Sequence, residues 1–221
     1  MESWPALESN PQVLNDFARK CGLPEEWAFG DVFGFDDDLL AMVPQPCLAV
    51  IFLFPSSAKV PFDETKKGTA DTFFLRQIKQ LDQACGTIAM IHAIANNADV
   101  IQLRDGSLKK FIESHKNSSA EEVGTALAGD KTMSEMHSSF AQEGQTNSVS
   151  ADNVDHHFVC FTSVGEHLYE FDGCKTAPTD HGKIGENGFL STAAKVIKAT
   201  YLTNPDVMDF AMMSLGPPGD F

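Results

Sequence analysis

The pattern of apolar and polar positions predicts a helix near the start of the chain. Asn10 is a good N-cap, Pro11 suits the first helical position, and Gly22 can end the helix. Between them lies an apolar stripe at helical spacing, made of Val13, Leu14, Phe17, Ala18 and Cys21. The acidic cluster 36–38 favours the N-terminus of a second helix, which would carry Leu39, Leu40 and Val43.

Two longer apolar segments predict the centre of the fold. Residues 47–54 form a continuous apolar run that Pro55 closes, as expected of a buried central strand. Residues 85–96 are apolar on nearly every side, so a helix there would be buried all round. Between these segments, residues 73–76 predict a short strand.

The second half of the chain carries helical patterns first and strands afterwards. Helices are expected at 107–115, 119–128 and 133–141, and the second opens with a capping box of Ser119 and Glu122. The polar stretch 142–153 predicts a loop. Two strands around a turn at 164–166, a helix and a last strand complete the chain, at 157–163, 167–172, 189–202 and 209–215. This order predicts one α+β domain over residues 1–221, with a central antiparallel sheet flanked by helices.

Composition and charge narrow the class of protein. Hydrophobic residues are 43% and charged residues 21% of the chain, as in ordinary soluble globular proteins. The longest apolar run is too short to cross a bilayer, and the first residues lack the features of a signal peptide. The net charge of −15 argues against nucleic acid as a partner, and it serves either solubility or the steering of a basic partner. We therefore expect a cytoplasmic protein that binds neither membranes nor nucleic acid.

The cysteines point to one candidate for chemistry. There are five, an odd number without a CxxC pair, so we expect reduced thiols rather than a disulfide framework. Cys85 begins the long apolar helix, where the helix dipole and unpaired backbone N–H groups stabilise a thiolate. Gly86 would keep the space beside the sulfur open for a substrate backbone.

A histidine and an aspartate later in the chain complete a possible catalytic set. His157 begins one strand of the predicted hairpin, and Asp172 ends the other. The carboxylate would orient the imidazole, whose other nitrogen would face the thiol. Cysteine at a helix start, followed by histidine and aspartate on a hairpin, is the papain-like arrangement.

Longer motifs around these residues resemble the ubiquitin carboxyl-terminal hydrolase family of cysteine proteases, in its short single-domain form. Residues 83–97, which begin Gln-Ala-Cys-Gly, resemble the active-site signature of the family. Residues 154–158 and 167–173 resemble its histidine and aspartate blocks, and 4–11 and 40–46 resemble the N-terminal part of its short members. The resemblance runs from Trp4 to the last predicted strand.

The resemblance implies roles for individual residues. Cys85 matches the nucleophile, His157 the general base and Asp172 the residue that orients the base. It leaves His156 outside the catalytic set, as a solvated loop residue, and makes His92 a structural, hydrogen-bonded histidine. Glu8 lies in a segment that helps to form the groove for the tail of ubiquitin, so Glu8 would pair with a tail arginine or remain a solvated side chain.

One position departs from the family pattern. The family places an oxyanion-stabilising glutamine six residues before the cysteine, where this chain has Lys79. Gln77 would replace it after a two-residue insertion, and Gln80 after a deletion. Since a loop absorbs an insertion more easily, the sequence favours Gln77.

The implied activity is hydrolysis of small adducts or short peptides from the C-terminal glycine of ubiquitin, through an acyl-enzyme on Cys85. The resemblance implies no cofactor and no metal, a monomer, and a loop at about 142–153 that crosses over the active site and limits the size of the leaving group. Two alternatives stay open. The chain could be a ubiquitin-binding module with weakened catalysis, or a hydrolase that also acts on the modifier of the neddylation pathway.

Overall fold

The computed structural model describes residues 4–143, 156–203 and 209–219. Six strands form one sheet in the spatial order β1-β6-β2-β3-β4-β5, and every neighbouring pair is antiparallel. In chain order, the strands are Ala28–Asp31, Ala49–Pro55, His156–Val164, His167–Phe171, Thr179–Lys183 and Ala211–Gly216. This architecture confirms the predicted α+β class with a central antiparallel sheet.

Eight α-helices flank the sheet in the described part of the chain. Numbered α1 to α8 in chain order, they are Pro11–Cys21, Asp37–Leu40, Cys85–Ala95, Ala98–Ile101, Ser107–His115, Ala120–Gly129, Lys131–Glu143 and Gly188–Tyr201. Three short 3-10 turns lie between β2 and α3, at Ser56–Ala58, Glu64–Lys66 and Lys79–Leu81. Among the described residues, no helix has the length and apolarity that a membrane span requires.

The sheet has a hydrophobic core on each face. Ala49 and Ile51 of β2 pack into the larger core with α1 and α3, whereas Val50, Phe52 and Phe54 pack into a second core with α8. Successive side chains of a strand point to opposite faces, so a strand covered on both faces needs an unbroken apolar run. This explains the run at 47–54 and confirms its prediction as a central strand.

Local signals at the helix ends are also confirmed. The Asn10 side chain accepts a hydrogen bond from the Gln12 N–H at 2.9 Å, and Gly22 ends α1 with φ at +119°. Ser119 and Glu122 form the expected capping box of α6. Helices α3, α5, α6, α7 and α8 lie within two residues of their predicted bounds.

The predicted strand at 73–76 is wrong. Its backbone groups bind side chains and a helix end instead of a neighbouring strand. Phe73 exchanges two hydrogen bonds with the Asn96 side chain, at 2.9 Å each. The Leu75 N–H donates to His92 Nε2 at 3.1 Å, and the Arg76 N–H donates to the Ala120 carbonyl at 2.9 Å.

Helix α2, strands β1 and β5 and the end of α7 also differ from the sequence-based expectation. Helix α2 ends at Leu40, so Val43 lies beyond it. Strands β1 and β5 were not predicted, because short polar or glycine-containing segments carry little strand signal. Residues 142 and 143 of the predicted crossover loop belong to α7, which continues to Glu143, and residues 144–153 lie outside the described residues.

Strand β1 depends on one buried side chain. Asn15 of α1 donates to the Phe29 carbonyl at 2.8 Å and accepts from the Phe29 N–H at 2.7 Å. Asn15→Ala should lower the free energy of unfolding by about 2–4 kcal/mol, because it leaves two buried backbone groups unpaired. Chemical denaturation measures this change.

The matched control on the same helix is Gln12→Ala, which removes only an exposed contact with Asp16. This control should change stability by no more than about 0.5 kcal/mol. Equal effects of the two substitutions would contradict the role assigned to Asn15.

Candidate functional site

The N-terminus of α3 opens into a cavity of about 180 Å³. The cavity collects residues from distant parts of the chain, and they include the predicted nucleophile and base as well as Gln77. Its lining consists of Ser56, Lys59, Gln77, Asp82, Gln83, Cys85, His156, His157 and Cys174. Cys85, His157 and Gln77 therefore share one cavity, which Asp172 does not line.

Helix α3 brings Cys85 to this cavity. Ten of its eleven residues are buried, so the helix lies inside the larger core and only its first turn reaches the cavity. Cys85 itself is 7% exposed. Ala84 precedes the helix and provides no side-chain cap, so the positive end of the helix dipole acts on the thiol.

The packing around α3 explains why residue 86 is a glycine. A Cβ at this position would lie 3.3 Å from Leu7 Cβ and 3.4 Å from the Phe158 ring. The missing side chain lets α3 pack closely against the N-terminal segment and β3. Close packing therefore explains the glycine at this position, and the space beside the Cys85 sulfur for a substrate backbone stays a prediction.

The β3–β4 hairpin places the histidine beside the aspartate. His157 lies near the start of β3, and Asp172 directly follows β4. His157 Nε2 is 2.7 Å from Asp172 Oδ1, and the two residues are 3% and 5% exposed. His157 and Cys85 line the same cavity. The Phe54 ring packs edge-on against the imidazole, with ring centroids 5.8 Å apart.

Opposing effects set the charge of this pair. Burial lowers the pKa of His157, but hydrogen bonds with Asp172, Cys174 and Cys85 and the Asp172 charge outweigh burial and raise that pKa to about 11. Burial likewise raises the pKa of Asp172, and the hydrogen bond and charge of His157 reverse this and bring the pKa below its usual value. The pair is therefore an imidazolium and a carboxylate at neutral pH.

A buried network holds the turn that carries Asp172. Glu170 of β4 is 1% exposed and accepts hydrogen bonds from Lys175, from His181 at 2.9 Å and from the Tyr201 hydroxyl at 2.8 Å. Burial alone raises the pKa of Glu170, but the hydrogen bonds and charges of His181 and Lys175 outweigh burial and lower that pKa. The Lys175 N–H donates to the Asp172 carbonyl at 2.9 Å, so the network fixes the backbone directly after the aspartate.

Gln77 and Gln80, the two candidates for the oxyanion donor, differ in their position relative to the cavity. Gln77 lines the cavity, whereas Gln80 is exposed on the 3-10 turn Lys79–Leu81 and does not line it. Gln77 Nε2 donates to the Asp82 carbonyl at 2.7 Å, and the Gln77 backbone N–H donates to the Gly173 carbonyl at 2.8 Å. A third glutamine, Gln83, also lines the cavity.

Helix α6 packs directly against the backbone next to Gln77. A Cβ on Gly124 of α6 would lie 2.2 Å from the Arg76 carbonyl oxygen. The helix therefore touches the backbone next to Gln77, and only glycine permits this approach.

Two histidines outside the predicted triad have clear positions. His92 is fully buried, it accepts a hydrogen bond from Leu75, and burial lowers its pKa to about 3. This confirms His92 as a structural, hydrogen-bonded residue. His156 was expected on a loop but is the first residue of β3, where it bonds to Asp209 at 2.9 Å and lines the cavity. Glu8 is half-buried in the N-terminal segment before α1.

Two features of the site were missed by sequence reasoning. Glu170 and Lys175 could have been found, since a charged residue inside an apolar strand, with an opposite charge five positions later, suggests a buried pair. Cys174 carries no such signal. It follows Asp172 by two residues, and its backbone N–H donates to Asp172 Oδ1 at 2.9 Å.

Comparison with known proteins yields consistent matches. The family model described as "Ubiquitin carboxyl-terminal hydrolase, family 1" matches residues 4–201. A ubiquitin carboxyl-terminal hydrolase of Drosophila melanogaster is 38% identical over 225 residues, which cover 97% of this chain and 98% of the relative. One from Aplysia californica is 38% identical over 211 residues, covering 93% and 98%.

A solved structure shares the fold. It is the Trichinella spiralis UCH37 catalytic domain bound to ubiquitin vinyl methyl ester, with a TM-score of 0.80. The match covers 98% of this chain and 97% of the other, at 22% sequence identity.

The ion pair of His157 and Asp172 should make the free energy of unfolding depend on pH. The unfolded-state pKa of His157 is near 6.5 and the folded value is about 11. Between these values the folded state holds one more proton, so the pair stabilises fully below pH 6.5 and its contribution is lost as pH rises toward 11. Each unit of difference in pKa corresponds to about 1.4 kcal/mol.

Asp172→Asn removes the main group that raises the pKa of His157. The difference in unfolding free energy between wild type and this variant should therefore shrink between about pH 6 and about pH 9.5, as denaturant titrations can measure. Other titrating groups are shared by the two proteins and cancel in the difference. A constant difference across this range would show that His157 is neutral in the folded state.

Proposed function

Since this chain belongs to family 1 of the ubiquitin carboxyl-terminal hydrolases, which are cysteine-type deubiquitinating enzymes, we propose that it releases small adducts or short peptides from the C-terminal glycine of ubiquitin. Cys85 is the nucleophile, His157 the general base and Asp172 the orienting residue. We further propose that residues 1–221 are one catalytic domain. The continuous six-stranded sheet, which uses strands from both ends of the chain, supports this single unit.

One observation carries the proposal. The His157 ring is hydrogen-bonded to the Asp172 carboxylate at 2.7 Å, and His157 and Cys85 line the same cavity. Because Nε2 is bound to Asp172, Nδ1 is the nitrogen left for the thiol. A nucleophile, a base and an orienting group in this order are the requirements of thiol hydrolysis.

The reaction begins from the ion pair in which His157 already holds the proton and Cys85 is a thiolate. The thiolate attacks the carbonyl carbon of the terminal glycine, and the carbonyl oxygen becomes an oxyanion. When the tetrahedral intermediate collapses, the bond to the adduct breaks and His157 returns the proton to the leaving group. Water then attacks the acyl-enzyme with His157 as base, and the thiol and the free carboxylate of ubiquitin are regenerated.

Gln77 is the proposed side-chain donor to the oxyanion. Its backbone is fixed to Gly173, and one amide hydrogen is fixed to the Asp82 carbonyl. The second hydrogen of the same NH2 group can then serve the oxyanion beside Cys85. The uncapped first turn of α3 supplies backbone N–H groups at the same end of the cavity.

Charge and the shape of the site support ubiquitin as the partner. The net charge of −15 favours the approach of a basic protein tail. Glu8 belongs to the N-terminal segment whose Leu7 packs on Gly86, next to Cys85. We therefore propose that the Glu8 carboxylate meets an arginine of the ubiquitin tail. The stretch at about 142–153, most of which lies outside the described residues, is proposed to limit the size of the leaving group.

The decisive test is turnover of a fluorogenic amide attached to the C-terminus of ubiquitin. Cys85→Ala and His157→Ala should each lower kcat/KM by about 1,000-fold or more, because they remove the nucleophile or its base. Both variants should still bind ubiquitin, as isothermal titration calorimetry can measure. The same assay with the neddylation modifier measures which modifier the enzyme prefers.

An enzyme that binds ubiquitin without turning over the amide would contradict the proposal. That result would favour the binding-module alternative. Full activity in Cys85→Ala would exclude the assigned nucleophile.

The oxyanion assignment has its own matched pair of variants. Gln77→Ala should lower kcat by about 100-fold or more with little change in KM, because the lost hydrogen bond strengthens only in the transition state. Gln80→Ala removes an exposed side chain three residues away and should leave kcat within about twofold. The reverse pattern would transfer the role to Gln80, and two inactive variants would indicate damage to the shared segment.

A further inference from the structure

Cys174 forms a cluster with two members of the proposed triad. One potential ligand atom each of His157, Asp172 and Cys174 lies within 4.8 Å of the other two. The three residue types are all common ligands of zinc. We propose that these residues form an inhibitory binding site for a thiophilic divalent cation, of which Zn²⁺ is the representative.

The backbone places the Cys174 thiol at this point. The Cys174 N–H donates to Asp172 Oδ1 at 2.9 Å, and its thiol lies 3.7 Å from Gln77 Oε1. Cys174 is exposed and lines the cavity, whereas His157 and Asp172 are buried. An ion can therefore enter from the cavity and meet the thiol first.

The separation of the ligand atoms suits a small tetrahedral ion. Zinc binds sulfur at about 2.3 Å and nitrogen or oxygen at about 2.0–2.2 Å, so neighbouring ligand atoms lie about 3.5 Å apart. His157 Nε2 and Asp172 Oδ1, now 2.7 Å apart, would separate by less than about 1 Å. Three protein ligands leave a fourth position, which would face the cavity and hold water.

Binding is an exchange of protons for the ion, without oxidation or reduction. The Cys174 thiol gives up its proton and becomes a thiolate, and His157 Nε2 gives up the proton it shares with Asp172. Both protons pass to solvent, and the ion forms bonds to sulfur, nitrogen and a carboxylate oxygen.

The bound ion would stop the proposed reaction at the base. With the ion on Nε2, the ring keeps its proton on Nδ1, the nitrogen that faces Cys85. It can therefore accept no proton from the thiol, and Asp172 no longer orients the ring. This inhibitory half of the inference rests on the proposed function, whereas ion binding itself does not.

The other cysteines are poor competitors for the ion. Cys21 and Cys47 are buried, and burial raises their pKa values to about 11 and about 12. Burial also raises the pKa of Cys160. These thiols stay protonated and enclosed, and the nucleophile can be removed by substitution. A thiolate signal in Cys85→Ala would thus report Cys174.

The test uses the full chain with Cys85→Ala, so that binding is measured without the nucleophile. Titration with Co²⁺, a spectroscopic substitute for zinc, should produce a thiolate-to-metal charge-transfer band in the near ultraviolet. Calorimetry with Zn²⁺ should give one site. Adding Cys174→Ser should abolish the band and weaken zinc binding by at least about 10-fold, because a first ligand is lost.

Two further variants act as controls in the same background. His156→Ala removes a neighbouring histidine that lines the cavity but lies outside the ligand cluster, so zinc affinity should stay within about twofold. Cys174→His replaces the thiolate with another zinc ligand and should retain zinc while losing the band. The latter also separates loss of a ligand from local misfolding.

A band that persists after Cys174→Ser would overturn the inference. So would zinc binding that disappears in Cys85→Ala alone, because the site would then belong to the nucleophile. In the enzyme with Cys85 intact, zinc should inhibit hydrolysis at concentrations at least about 10-fold lower than it does in Cys174→Ser. The binding measurements need no turnover, so they stand or fall separately from the proposed function.

Discussion

The enclosure of α3 is the constraint on which the rest of the structure depends. A helix that is apolar on every side gains stability only when neighbours cover its full circumference. The sheet covers one side, the N-terminal segment at Leu7, the segment around Leu75 and α7 cover others, and only the first turn reaches the cavity. Cys85 lies in that turn, so the burial of the helix determines where its thiol can meet another molecule.

The sheet positions the histidine and the aspartate of the site. The aspartate lies on a buried, charged turn directly after β4. Two carboxylates, those of Glu170 and Asp172, are buried within three residues of each other. Each is balanced by partners from other elements, namely His157 of β3, Lys175, His181 of β5 and Tyr201 of α8. Leaving a buried charge unpaired is costly, so the turn has little freedom to move and the imidazole is held in one orientation.

The sequence was a good guide wherever a local pattern determined the structure. The caps of α1, the buried strand at 47–54 and the convergence of Cys85, His157 and Asp172 followed from periodicity, cap residues and motif order. The errors arose where tertiary contacts override local preference. Residues 73–76 have strand-like side chains, but Asn96 and His92 bind their backbone. The position of Gln77 depends on Gly124 and Gly173, whose close contacts no local pattern reveals.

The placement of β6 has a consequence for how the protein forms in the cell. Although β6 is the last of the six strands along the chain, it lies between β1 and β2. During synthesis, both of these strands therefore emerge from the ribosome long before their shared partner. Until residues 211–216 arrive, β2 has an unpaired edge and β1 has no neighbour in the sheet. The nascent chain thus presents exposed strand edges for most of its translation, the condition in which cells rely on chaperones to prevent aggregation.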